Sequence, residues 1–218
     1  MSQPFIRNHQ YNYIKKQVGQ LQRAFNTSSD PKVILSLRDE VQAKVLELFP
    51  TSREAQQPLL EAISSLQTAE ECRSYVNSLE PYVAEMPQVT DNQLKKLFPK
   101  VKKLKTPSLE ALDFRYVTYM GWTDIASGKM YLAYPHHNQL AGIEGRFTPT
   151  NKKGVCFVCS KHEEVALFTA ITKSKPANAS PDYYKAIGNY ICLNSETCNR
   201  NITDVAALDK FFHDVLAK

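Results

Sequence analysis

Glycine is scarce, with 7 in 218 residues. The sequence has no Gly-x-x-x-x-Gly-Lys phosphate loop and no Gly-x-Gly-x-x-Gly dinucleotide turn. It also lacks a Gly-x-Ser-x-Gly nucleophile elbow. None of the 5 histidines (His9, His136, His137, His162, His213) lies in a His-Glu-x-x-His pattern. Hydrolytic triads are assembled in space, so motifs alone leave that class open, but no residue pattern points to one. No apolar run approaches the ~20 residues that cross a bilayer. The opening Met1-Ser2-Gln3-Pro4-Phe5-Ile6-Arg7 lacks the apolar stretch of a secretory signal. Cysteine is limited to 5, grouped as two local pairs with Cys72 left over. That grouping suits a reducing compartment better than a disulfide framework, so a cytoplasmic protein is expected.

What is present is an ordinary globular composition, 43% hydrophobic and 22% charged. The net charge of +5 is uneven. Residues 1–90 carry 9 basic and 10 acidic side chains, and residues 91–218 carry 18 and 12. The basic excess in the second half favours an anionic partner, either nucleic acid or an acidic protein surface.

The first half reads as helices. Tyr11, Ile14, Val18, Leu21 and Phe25 form one apolar stripe after Asn8. Asp30-Pro31 starts a second helix with Ile34, Leu37, Val41, Val45 and Leu48, stopped by Pro50. Thr51-Ser52 opens a third with Leu59, Leu60, Ile63 and Leu66, shortened or kinked by Pro58. Thr68-Ala69-Glu70-Glu71 has the capping-box pattern before Cys72, Tyr75, Val76 and Leu79. Four stripes that can bury one another imply an antiparallel four-helix bundle over residues 1–86. Cys72 lies on its stripe as a small core residue.

The pattern changes after a proline-containing hinge near residues 80–89. Thr90-Asp91 caps a short helix, followed by six lysines at positions 95, 96, 100, 102, 103 and 105. They read as a solvated face or as an anion contact. Strands are expected at 114–120, 129–134, 140–147, 165–171 and 189–191, with Pro135-His136-His137-Asn138 an exposed turn. Thr203-Asp204 caps a last helix carrying Val205, Leu208, Phe211, Phe212, Val215 and Leu216. Because neighbouring helical positions point about 100° apart, one of Phe211 and Phe212 is expected in the core and the other at the surface. The expected fold is mixed and two-domain: a bundle, then an α+β domain over residues 87–218.

Chemistry concentrates in Cys156-x-x-Cys159 and Cys192-x₅-Cys198. Two thiolates reach one metal from a tight turn, and a second pair completes a tetrahedral Cys₄ site for one structural Zn²⁺. Gly154 is read as relaxing the turn before the first cysteine. A knuckle, a hairpin, Cys192 at a strand end and Cys198 at a helix start give the layout of a treble-clef finger. Four thiolates leave no open position, so the site is structural and not catalytic. His162 is the one nearby substitute ligand. A redox Cys-x-x-Cys would leave Cys192 and Cys198 unexplained.

Several segments together resemble the FusB/FusC type of fusidic-acid-resistance proteins. These are His9-Gln10-Tyr11-Asn12-Tyr13-Ile14, Phe98-Pro99-Lys100-Val101-Lys102-Lys103-Leu104-Lys105, Gly121-Trp122-Thr123-Asp124-Ile125-Ala126-Ser127, and the two cysteine pairs with Cys198-Asn199. The resemblance implies a non-enzymatic protein that binds bacterial elongation factor G through its zinc-finger domain. Binding would promote release of the factor from ribosomes stalled by fusidic acid. It also implies a partner surface at Tyr190 and Phe211, with Val155 where the family can have phenylalanine and Ile187 where it can have lysine. Lys185 could supply that charge. The alternative is a zinc-finger RNA- or ribosome-binding protein using the lysine run.

Overall fold

Apolar residues every three or four positions make α1 (Asn8–Thr27) amphipathic, and its Tyr11, Ile14, Val18 and Leu21 are buried. The computed structural model describes residues 3–51, 54–174, 176–180 and 182–217. Ser52, expected to open the third helix, lies outside them. The chain divides into two compact units, Met1–Ala84 and Glu85–Lys218.

In the first unit, α1 packs against α2 (Pro31–Glu47) and α4 (Ala69–Ser78). Asp30 caps α2 by accepting from the Lys32 N–H at 2.8 Å, ahead of Pro31. Thr68 caps α4 through the Glu71 N–H at 3.1 Å. The third helix is shorter than its apolar stripe suggests. α3 covers only Gln57–Glu61 and continues as a 3₁₀ turn, Ala62–Ser65. Ser64 and Ser65 donate back to the carbonyls of Glu61 and Ala62, each at 2.8 Å, and so compete with the α-helical ladder. Leu60 and Ile63 are nonetheless buried. Both ends of the unit are tied together, since Phe5 and Ile6 donate to Tyr82 O and Ala84 donates to Ile6 O. Burial pushes the Cys72 thiol up to about 11, in keeping with an inert core residue.

The second unit is built on a five-stranded antiparallel sheet whose spatial order matches chain order. The strands are β1 (Met120–Asp124), β2 (Lys129–His136), β3 (Gln139–Val155), β4 (His162–Ile171) and β5 (Ala186–Cys192). β3 pairs with β2 over its first half and with β4 over its second, with an irregularity between Pro149 and Lys153. β2 is covered on both faces. Met130, Leu132 and Tyr134 join the main core, while Tyr131 and Ala133 meet side chains from the α5 (Asp91–Leu97) region and the segment after it. Gly142 is needed on that second face, because a Cβ there would lie 2.8 Å from Leu97 Cβ and Phe98 Cζ. Two short helices close the chain, α6 (Ser195–Asn201) and α7 (Ala206–Leu216). Asp204 accepts from the Ala206 N–H at the start of α7.

The stretch 114–120, expected as a strand, is mostly not one. Phe114–Tyr116 form a 3₁₀ turn, opened by Asp113 accepting from the Arg115 N–H, and pairing begins only at Met120. Its aromatic and β-branched residues serve packing: Phe114 and Val117 sit against the α5 cluster and Tyr119 in the main core. Among the described residues, no helix is long and apolar enough to cross a membrane.

Candidate metal centre

Cys156 and Cys159 stand in the turn that leaves β3, Cys192 ends β5, and Cys198 lies in α6. All four are buried, and their sulfurs lie within 4.8 Å of one another. The Cys156–Cys198 and Cys159–Cys192 sulfurs are each 3.7 Å apart. A tetrahedral zinc with bonds of about 2.3 Å sets its sulfurs about 3.8 Å apart, so the constellation is already at metal-binding size. No disulfide forms among the five cysteines.

Local chemistry holds this shape. The Ser160 N–H donates to Cys156 O, and the Cys156 N–H donates to Lys161 O, both at 2.9 Å. Ser160 takes the left-handed backbone that closes the knuckle, with φ 55°. Gly154 plays a different part from the one expected. It is a paired strand residue, and what it supplies is space: a Cβ there would lie 2.9 Å from Val165 Cγ2. The Cys192 N–H points at Cys156 Sγ at 3.4 Å, and the Phe157 N–H donates to Tyr190 O at 2.8 Å, joining knuckle to strand. Asn194 caps α6 by accepting from the N–H groups of Glu196 and Thr197.

Asn199, one residue past the last cysteine, anchors the centre to the rest of the unit. Its Oδ1 accepts from the N–H groups of Thr118 and Tyr119 at 2.8 and 3.2 Å, and its Nδ2 donates to Tyr119 O at 2.9 Å. Ser195 adds a bond to Gly121 O at 2.8 Å. Tyr119 brings its buried ring beside Cys198, and burial keeps its phenol protonated.

The sulfurs are electrostatically coupled. Hydrogen bonds from neighbouring thiols, Cys159 first, pull Cys156 toward thiolate, while Cys192 and Cys198 are pushed up by sharing their protons with it. Four thiolates in one buried volume require a dication to offset them. The residues fit one structural Zn²⁺. With four protein ligands, the ion would close the fold and keep no coordination position for a substrate. His162 is exposed at the start of β4.

Two protein families match consecutive stretches of the chain. "Elongation factor G-binding protein, N-terminal" matches residues 5–87. "FBP C-terminal treble-clef zinc-finger" matches residues 98–213, more than half of the sequence. The chain belongs to the FusB/FusC family. Among solved structures it is similar to the fusidic acid resistance protein FusC, with a TM-score of 0.79 and 26% identity, covering 97% of this chain and 98% of that one. Among curated protein sequences none is similar enough to match. In this family member a helical unit precedes the sheet unit that carries the four-cysteine centre.

The other residues singled out in the sequence fall into two groups. Tyr190 is 50% exposed and Val155 61% exposed. Tyr190 pairs with exposed Leu167 across β4 and β5, and Ile171 continues the same face, leaving an apolar strip open to solvent. Lys185 is exposed, while Ile187 is half-buried against the main core. The expectation that either Phe211 or Phe212 faces solvent is not met. Both are buried, Phe211 at 3% exposure. Phe211 packs on Phe157 and Phe168, with ring centroids 5.2 and 5.8 Å away, and Phe212 packs on Tyr134 at 5.2 Å. Leu208, Phe211, Phe212 and Val215 share one buried face of α7 about 100° wide, and the two rings lie at its two edges, so both are covered. The pair His136-His137, expected as an inert exposed turn, is joined by His213 of α7. That grouping had no sequence signal, because His213 lies far along the chain.

Proposed function

We propose that this protein binds bacterial elongation factor G through its zinc-finger unit and promotes release of the factor from ribosomes on which fusidic acid has trapped it. The observation that carries this reading is the match along nearly the whole chain to FusC, a fusidic acid resistance protein. The match of residues 5–87 to the N-terminal region of elongation factor G-binding proteins supports it as well. Action is by binding and not by catalysis: the zinc staples the frame, and the chemistry of release belongs to the ribosome and the factor. The work is done in the cytoplasm, where the ribosomes are.

Cys156, Cys159, Cys192 and Cys198 hold the ion in this reading. Tyr190 and Val155 are the exposed apolar contacts on a rigid frame, the kind of residue that carries much of an interface's energy. Lys185 supplies a steering charge toward an acidic partner. Ile187 and Phe211 act from beneath, Phe211 by supporting the Phe157 ring.

The test is a pull-down of purified factor on the zinc-loaded protein, with metal content measured on the same sample. A stoichiometric complex at micromolar concentration is expected. Tyr190→Ala should weaken it by about 30-fold, the effect of a binding hot spot, without loss of zinc. Absence of any complex at that concentration refutes the reading. A second reading, RNA contact, is favoured by the exposure of Lys95, Lys96, Lys100, Lys102, Lys103 and Lys105. It requires RNA affinity that falls steeply with salt and does not depend on the factor.

A further inference from the structure

The β2–β3 hairpin turns through two residues, His137 and Asn138, both with left-handed backbone at φ 48° and 60°. This is the two-residue turn that matches strand twist, and asparagine accepts such a backbone readily. Histidine does so less often, and here the conformation sets the His137 ring beside that of His136, 4.0 Å between centroids. His213, in the last turn of α7, completes a cluster. One ligand atom from each of the three imidazoles lies within 4.8 Å of the others.

His136 is the built part of this cluster. Its side chain is only 10% exposed, and its ring lies 6.0 Å from Phe212 and 6.3 Å from Tyr134. Its Nδ1 is buried and makes no hydrogen bond among the described residues. Asp209 Oδ1, one turn earlier on α7, stands 3.5 Å from that nitrogen.

We propose that His136, His137 and His213 form a second metal site, for a borderline divalent transition ion such as zinc or nickel. It shares no residue with the four-cysteine centre. Imidazole suits these ions. Metal–nitrogen bonds of about 2.1 Å in a tetrahedron place the nitrogens about 3.4 Å apart, within side-chain adjustment of the present spacing. Asp209 has the place of the carboxylate that orients a ligating histidine and offsets the ion's charge. His137 and His213 are exposed, so the remaining coordination position faces solvent and takes water or a side chain of a bound molecule. Where the cysteine centre closes the fold, this one clamps the hairpin tip onto α7 after folding is complete.

The experiment is calorimetric titration of zinc and of nickel into the full chain, free of any affinity tag and already carrying one zinc. Both ions should bind at one further equivalent with micromolar affinity. His137→Ala and His213→Ala, both at exposed positions, should each weaken that step by roughly ten- to hundred-fold and leave the first zinc in place. Asp209→Asn should weaken it less than either. Absence of a second binding step for both ions overturns the proposal. So does a second step of undiminished affinity in the His137→Ala, His213→Ala double variant, which would assign the ion to other groups. Loss of the first zinc in that double variant would also overturn the claim that the sites are separate.

Discussion

Replacing Asn199 by alanine probes how the zinc finger is joined to its domain. The amide is buried and serves three backbone groups: the N–H of Thr118, the N–H of Tyr119 and the carbonyl of Tyr119. Truncation removes the bonds that these two donors and one acceptor make to the amide. Each buried unsatisfied group costs about 1–3 kcal/mol. The space vacated by the amide is polar and can admit one water, which recovers part of that loss. The net destabilisation should therefore fall at about 3–5 kcal/mol, at the upper end for single substitutions. Ser195→Ala is the internal comparison. It removes one half-buried bond, to Gly121 O, and should cost about 1 kcal/mol. Urea unfolding of the zinc-loaded protein would be followed by tryptophan fluorescence. The single tryptophan, Trp122, lies in β1, so the signal reports the second unit directly. If Asn199→Ala costs no more than Ser195→Ala, the amide is not the anchor that its geometry suggests.

Three further outcomes follow from particular contacts. Gly145→Ala places a Cβ 2.5 Å from Phe168 Cε2 and 2.6 Å from Thr169 O, so it should destabilise by about 1–3 kcal/mol in the same urea assay. Phe211→Ala should cost about 3–5 kcal/mol through the cavity left beside Phe157 and Phe168, which makes it a stability variant and leaves Tyr190→Ala as the clean test of contact. In the helical unit, burial raises the Cys72 thiol from 9.0 to about 11. The unfolded chain gives up that proton first, so this contribution to stability is whole below pH 9 and fades as pH rises toward about 11. Tyr75 is raised by burial in the same direction, so Cys72→Ala should reduce the fall without abolishing it, as read by circular dichroism.

Much of this was legible in the sequence because it is written locally. The cysteine pairs announce their chemistry by spacing, and Asp30, Thr68 and Thr90 cap their helices as their positions imply. The failures have a common origin in tertiary context. Phe114 to Tyr119 have strand-forming side chains that the fold uses to fill two cores instead of pairing. The third helix yields to serine side chains that bond their own backbone. Phe211 and Phe212 point to different neighbours, and only the amount of surrounding sheet decides that both are covered. Gly154 reads as a turn residue but acts as a gap for Val165. His213 carries no mark that it meets His136 and His137.

The strand order β1-β2-β3-β4-β5 has a consequence for how the chain is made. During synthesis each strand emerges to find its neighbour already present, so the sheet can zip up hairpin by hairpin at low loop-closure cost. The finger obeys the opposite schedule. Cys156 and Cys159 are exposed to solvent as a bare dithiol until Cys192 and Cys198 leave the tunnel, and Asn199 then reaches back to Thr118, the start of the whole meander. Closure of the metal centre must thus wait until α6 has been made. A chain truncated before α6 would carry all five strands and three unligated thiols, Cys156, Cys159 and Cys192, which makes it a good substrate for quality control.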